Sequence, residues 1–243
     1  MSNHQSGSRS AAIAAELRDE ILRGQYRQGE RLPSERDLAE RFGVHRSAVR
    51  EALKGLEQLG VARIRPGGAR VAPLEEASLD VVEHMLGLED PPNPEMVDHV
   101  LEVMSGLFSL AARLCAERAD TAQRAKIGEL LGELEREEHS VADAVRLTQQ
   151  LGDRFVEASR NMVLTLVRHG VKTHFMNSLE MPDEAAPEWS RAGHFRRLSQ
   201  AIEAHDGLAA SEAAYELTHA MRRHAVASLE AARGQHKRSE TES

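Results

Sequence analysis

Arg46, Arg50 and Lys54 recur at intervals of four within GVHRSAVREALKGLEQLGVARIRPGGARV, the stretch from Gly43 to Val71. Residues four apart lie on one edge of an α-helix, so the three cations would form a single row. Val49, Leu53 and Leu56 fall on the opposite, apolar side. A guanidinium is a planar fork that can donate to both O6 and N7 of guanine, and each good pair discriminates against the other bases by about 1–3 kcal/mol. His45 and Ser47 flank the first arginine, and Arg36 opens a shorter segment just upstream. Downstream, Arg65 and Arg70 bracket Pro66-Gly67-Gly68. With no side chain at Gly67, that backbone could approach a minor groove closely. Recognition of duplex DNA is the chemistry these residues can do. Taken singly, each arginine is better read as part of a solvated face neutralised by Glu35, Asp37, Glu40 and Glu51; the set, with a wing directly after it, favours DNA.

The elements that must position them follow from periodicity and breakers. Ile13, Leu17 and Ile21 predict a first helix over about 10–22, ended by Gly24. Ser34, with Asp37 three residues on, is an N-cap for a short helix over about 35–42. Gly43 breaks the chain, Val44 turns back to the core, and a third helix runs from His45 or Arg46 to Gly60. VARI and ARV then form a hairpin around Arg65-Pro66-Gly67-Gly68. VAPLEEASLD reads as a linker. Beyond it the pattern is helical over about 79–88, 94–117, 122–138, 141–150, 151–159, 163–178, 188–204 and 207–232. MPDEAAPEW is the one clear loop, and GQHKRSETES reads as a disordered tail. The expected fold is mainly α: a winged helix-turn-helix domain over 1–73, a linker over 74–78, an all-helical bundle over 79–235 and a tail over 236–243.

Composition agrees with two domains. The 243 residues are 41% hydrophobic but only 3% aromatic, which suits aliphatic helical packing. The net charge of −8 hides an asymmetry: up to Pro73 there are 13 Lys/Arg against 9 Asp/Glu, so the acidic excess lies wholly in the remainder. A basic module on an acidic bulk suits a protein of which one part meets a polyanion. The single cysteine, Cys115, sits in LFSLAARLCAER, where it reads as a small buried hydrophobe and excludes a disulfide framework. MSNHQSGSRS lacks the apolar core of a secretory signal. No stretch reads as ~18 uncharged apolar residues, so a soluble cytoplasmic protein without membrane contact is expected. Nucleotide-binding loops, a G-x-S-x-G elbow and H-E-x-x-H are all missing, which argues against an enzyme.

RLPSERDLAERFGVHRSAVREALKGLEQLGVARIRPGGARV resembles the N-terminal domain of the GntR family of bacterial transcription regulators, over residues 11–72. The resemblance implies that Arg36, Arg46 and Arg50 contact a short palindromic operator and that Gly67 approaches the minor groove. His45 departs from the Ser or Thr usual at that position and removes the natural N-cap. The helical half resembles the FadR subfamily, in VEASRNMVL and in HFRRLSQAIEAHDGLAASEAAYELTHAMRRH. Many members of that subfamily hold a divalent metal; the corresponding positions here are Thr148, Gly152, His194 and Glu216. At most two of these can ligate, so no metal or other cofactor is expected. An improvised site from His194, His219 and His224 is the residual possibility.

The metal-free branch binds acyl-CoA, and its resemblance places a pocket at Tyr215. Glu216, His219 and Arg223 would make that wall polar, which suits a carboxylate better than a long acyl chain. His194, Tyr215, Glu216, His219 and Arg223 are therefore the candidate effector residues. A palindromic operator further implies a homodimer, because half-site discrimination cannot outcompete ~10⁶ genomic decoys. The resulting expectation is a ligand-responsive regulator, most often a repressor in this family. Its alternatives are an architectural DNA-binding protein without ligand response and a metal-dependent regulator responsive to organic acids.

Overall fold

Ile13, Leu17 and Ile21 line the inner face of α1 (Asn3–Leu22) and share one buried cluster with Ala52, Leu53 and Leu56 of α3 (Arg46–Gln58). These elements belong to a computed structural model that describes residues 3–136, 139–171 and 193–241. Between them lies α2 (Glu35–Arg41), begun by Ser34, whose Oγ accepts from the Asp37 N–H at 3.3 Å and donates to the Asp37 carboxylate at 2.7 Å. That cap satisfies one orphan donor of the first turn. Gly43 adopts φ +62°, and the chain turns directly into α3. β1 (Ala62–Arg65) and β2 (Gly68–Val71) pair antiparallel, Ala62 opposite Val71 and Arg65 opposite Gly68. Pro66 followed by Gly67 at φ +98° makes the two-residue turn.

The chain divides into two compact units, Met1–Leu88 and Glu89–Ser243. Sequence reasoning places a linker at 74–78 and a helical domain from 79; the packing keeps both segments with the first unit. A 3₁₀ turn (Leu74–Glu76) leads to α4 (Val81–Leu86), whose Val81 is buried in the first unit's core beside Ala77, Val82 and Met85. The Ser78 N–H donates to the Leu59 carbonyl at 2.9 Å, and Arg63 pairs with Glu76. Gly60, at φ +80°, lies so close to this segment that an added Cβ would come within 2.8 Å of Ala77 Cα. A segment as polar as LEEAS hides these contacts because they are made mostly by backbone.

The second unit contains α5 (Pro94–Arg118), α6 (Thr121–Arg136), α7 (Val141–Ser159), α8 (Met162–Val171), α9 (His194–Glu203) and α10 (Gly207–Thr241). Asn93 caps α5 and Ser140 caps α7 through their side-chain oxygens. The core joins Leu114 and Cys115 of α5, Ile127 and Leu131 of α6, Leu151 and Phe155 of α7, Leu198 of α9 and Leu217 of α10. Burial pushes the Cys115 thiol up to about 12, which leaves it inert at neutral pH.

Three expectations change here. The helices expected over 141–150 and 151–159 are one, α7; Gly152 does not break it, because it packs against the Phe108 ring instead of opening a turn. The tail expected to be disordered from 236 continues α10 to Thr241, since Lys, Arg, Gln and Glu are good helix formers that extend a helix already begun. The apolar stretch of α5 does have the length and hydropathy of a membrane span, yet Ala111, Ala112, Cys115 and Ala116 lie in the bundle core. The helix expected over 163–178 is described only as far as Val171. The MPDEAAPEW loop, the start of the 188–204 helix and the end of the 122–138 helix lie outside the described residues.

Candidate nucleic-acid interface and helical-unit pocket

On α3 the burial pattern fixes which side is free. Ala48, Val49, Ala52, Leu53 and Leu56 are buried, and Arg46, Ser47, Arg50 and Lys54 are exposed. The cationic edge thus exists, but it is not bare. Arg50 donates from Nε to Glu35 Oε1 at 3.1 Å and from Nη2 to Glu35 Oε2 at 2.8 Å. Those hydrogen bonds, with Arg46 adding its charge, hold the Glu35 carboxyl below the usual carboxylate range. Lys54 pairs with Glu51 at 2.9 Å, and Arg36 stands 3.5 Å from Asp37. Three of the four neutralising partners of the rival reading, Glu35, Asp37 and Glu51, are therefore in place, and they coexist with an exposed row of donors. His45 occupies the N-cap position with extended backbone but makes no side-chain cap hydrogen bond.

The wing adds Arg65, exposed beside the turn, and Gly67, which has open space where a Cβ would be. Arg70 is drawn back, donating from Nη1 to the Gly29 carbonyl at 3.0 Å. Arg31 is the cation that sequence reasoning misses. It bridges to Arg70 across the strand edge, and its Nε lies 3.0 Å from where a Gly68 Cβ would sit. Nothing periodic marks it; only the β-bridge brings it to the wing.

In the helical unit the candidate effector residues show two sets of contacts, His194 with Glu216 around Arg197 and Tyr215 with His219. Arg197 Nη2 stands 2.8 Å from His194 Nδ1, to which it donates, and 2.7 Å from Glu216 Oε2. Burial, then the Arg197 charge, pushes the His194 imidazole below its ordinary range. Tyr215 stacks on His219 with ring centroids 5.7 Å apart on an exposed face, and Arg223 is exposed. Arg222, one residue before it, ties α10 to α5 through Asp98 at 2.8 Å. A small crevice lies elsewhere, between α5, α7 and α8, with a free volume of about 20 Å³. Met104, Leu107, Phe108, Val156 and Leu164 make it apolar, and Arg168 is its single cation. Arg168 donates from Nε to Asp153 at 3.0 Å and from Nη2 to the Gln149 carbonyl at 3.0 Å. Its lone position in LTLVRHG gives no sequence signal.

Residues 9–71 match the family described as bacterial regulatory proteins, gntR family, and residues 99–227 match the FCD domain. This chain is a GntR-family transcription regulator with an FCD domain. It is similar to Mce2R of Mycobacterium tuberculosis, 29% identical over 84% of this chain and 86% of that protein. It is also similar to the galactonate operon transcriptional repressor of Escherichia coli, 28% identical over 83% of this chain and 90% of that protein. The solved structure of Lar, which controls the expression of the Listeria monocytogenes agr system, overlays with a TM-score of 0.50 at 14% identity over 90% of this chain and 95% of that one, a likeness of fold. The two sequence relatives are named as a transcriptional regulator and a transcriptional repressor, not as enzymes.

The metal that the resemblance implies for many FadR-type regulators does not fit the residues of this chain. The Thr148 hydroxyl donates to the Ala144 carbonyl at 2.8 Å, and Gly152 offers no donor. His194 and Glu216 are both engaged by the Arg197 guanidinium, so a cation is already in place between them. Among the described residues no group of three or more His, Cys, Asp or Glu could hold a metal ion, and His194, His219 and His224 form no such group.

Proposed function

We propose that this regulator reads a short palindromic operator as a homodimer in the cytoplasm, represses transcription there, and changes its affinity for DNA when its helical unit binds a small organic acid. The observation that carries the DNA reading is the exposed edge of Arg46, Ser47, Arg50 and Lys54 on a helix whose other side is buried, next to an open glycine turn. In this reading Arg46 and Arg50 contact guanines in the major groove. Arg36, His45, Arg65 and Lys54 hold phosphates, and Gly67 enters the minor groove. The wing and reading helices form a domain over 1–88, and the helical effector and dimerisation domain begins at 89.

A second copy is supported by α8, which presents Met162, Val163 and Leu166 outward, each at least 65% exposed. Lone exposed apolar residues are ordinary, but three on one helical turn of a single short element are not. For the effector, an apolar pocket with one guanidinium suits a small acid with a hydrocarbon body. Its free volume of about 20 Å³ is far below the roughly 300–1,000 Å³ of ordinary ligand pockets, so the helices around it would have to part to admit even a small acid, and much further for acyl-CoA. Duplexes selected from a random library by the full chain should converge on a palindrome. Short-chain carboxylates should shift that affinity with chelator present, and acyl-CoA thioesters should not. Selection of no consensus sequence would leave the architectural alternative standing.

A further inference from the structure

Glu35 is an acid placed at the face meant for a polyanion, a position where it repels phosphates unless it contributes something there. Its two oxygens accept from Nε and Nη2 of Arg50, the side of the guanidinium nearest the aliphatic stem. A guanidinium carries five N–H donors in a rigid plane. Two are used, which leaves both hydrogens of Nη1 and one of Nη2, and these include the forward-facing pair that a guanine edge accepts. Arg50 remains 61% exposed, so that forward pair faces solvent. We infer that Glu35 is a specificity-determining residue: it clamps the rear of the Arg50 fork so that only the forward pair can meet a base.

This role rests on Arg50 reading a base, as proposed above. An arginine on a free stem samples many rotamers and can settle on any phosphate within reach. A carboxylate fixed at the first residue of α2 removes that freedom before DNA arrives. It also subtracts charge from the face, so it weakens binding to every sequence while sharpening the choice among them.

The test uses full-length protein and two duplexes, one selected by the wild type from a random library and one scrambled. Affinities are measured for wild type, Glu35→Gln, Arg50→Ala and the double variant, with thermal melting as the check on folding. Glu35→Gln should bind the scrambled duplex more tightly and lower the selected-to-scrambled ratio by about tenfold, within the range of one bidentate pair. In the Arg50→Ala background the same change should leave the ratio where Arg50→Ala puts it. Replacing half-site guanines by 7-deazaguanine should cost the wild type affinity and cost Glu35→Gln much less. An unchanged ratio in Glu35→Gln overturns the inference, and so does an equal loss in both backgrounds, which would mean Glu35 acts without Arg50. If Arg50→Ala itself keeps the ratio, base reading by Arg50 fails and this inference falls with it.

Discussion

Arg50 and Arg168 are each held by a carboxylate fifteen residues earlier in the chain, Glu35 in one case and Asp153 in the other. Their settings differ: the Arg50 side chain is 61% exposed and Arg168 only 14%. An exposed pair in high dielectric contributes little to stability, of the order of 0–1 kcal/mol, so the Arg50–Glu35 pair does little for the fold, and the donors of Arg50 that Glu35 leaves unused stay open to an external anion. A partly buried guanidinium at the edge of an apolar cavity is a fixed charge, and its removal takes away the cation that the Asp153 carboxylate faces. The same pair chemistry thus stands open to solvent in one unit and half-enclosed beside a crevice in the other.

Truncating the two arginines should separate these roles, and the largest effect belongs to the first. Arg50→Ala should weaken binding to the selected duplex by about 2–6 kcal/mol for a dimer, at about 1–3 kcal/mol per half-site. Its melting temperature should barely move, because exposed substitutions usually stay within about 0.5 kcal/mol. Arg168→Ala should keep operator affinity in the absence of effector and lose the response to short-chain carboxylates. Loss of operator binding by both variants in equal measure would break the comparison.

The glycines offer a second contrast, in stability. Gly60→Ala combines φ +80° with backbone atoms 2.8 Å from the new Cβ, and backbone cannot step aside. It should destabilise the first unit by about 2 kcal/mol or more. Gly152→Ala meets only side-chain atoms, the Phe108 ring at 3.3 Å and Arg168 Nη2 at 3.5 Å. Relief of helix-interior glycine is worth about 0.5–1 kcal/mol and offsets the crowding, so its melting should stay near wild type while carboxylate response weakens as the pocket fills. Calorimetry on both variants, beside effector titrations of the second, checks the pair.

Legibility followed the same division. The reading helix could be found from sequence because Arg46, Arg50 and Lys54 are spaced by the helix's own period, and its apolar side is equally periodic. Ser34 announced α2 through a cap four residues long, and Pro66-Gly67 announced the turn. What escaped were relations between distant residues. Arg31 reaches Gly68 across a β-bridge, and Arg168 reaches a pocket built with residues of the distant α5. His194 and Glu216 were expected near one another and are, but Arg197 between them changes their chemistry from a polar pocket wall to a closed ion cluster. The family fold was readable because its motif is local. The crevice beside Arg168 was not, because three helices must pack before it exists.

Arg31 sharpens the comparison within the DNA-reading unit. A cation on phosphate weakens binding uniformly when removed, whereas one on a base removes selectivity. Arg31→Ala should lower affinity for selected and scrambled duplexes alike and reduce the slope of log K against log salt by about 1 for each half-site. A change in the selected-to-scrambled ratio instead would make Arg31 a base reader.

The smallest effect is in pH, and it touches both units. His84 on α4 is pushed below its ordinary value of 6.5 by burial and then by the Arg18 charge; Asp19, Asp80 and Glu83 face it and pull the other way. His194 is lowered by burial and Arg197 against Glu216 and Glu135. For a histidine lowered in the folded state, the unfolded chain takes up its proton first as pH falls. Stability is therefore intact above about 6.5 and declines as pH drops from there towards the folded value, a window well above the one in which carboxylates titrate. Thermal melts between pH 7.5 and 5.5 should show both units losing stability on acidification. His84→Gln should flatten the first unit's profile and leave the second unit's slope unchanged. A slope that stays the same in His84→Gln would assign the first unit's loss to groups other than His84 and remove α4 as the acid-sensitive element of the DNA-reading unit.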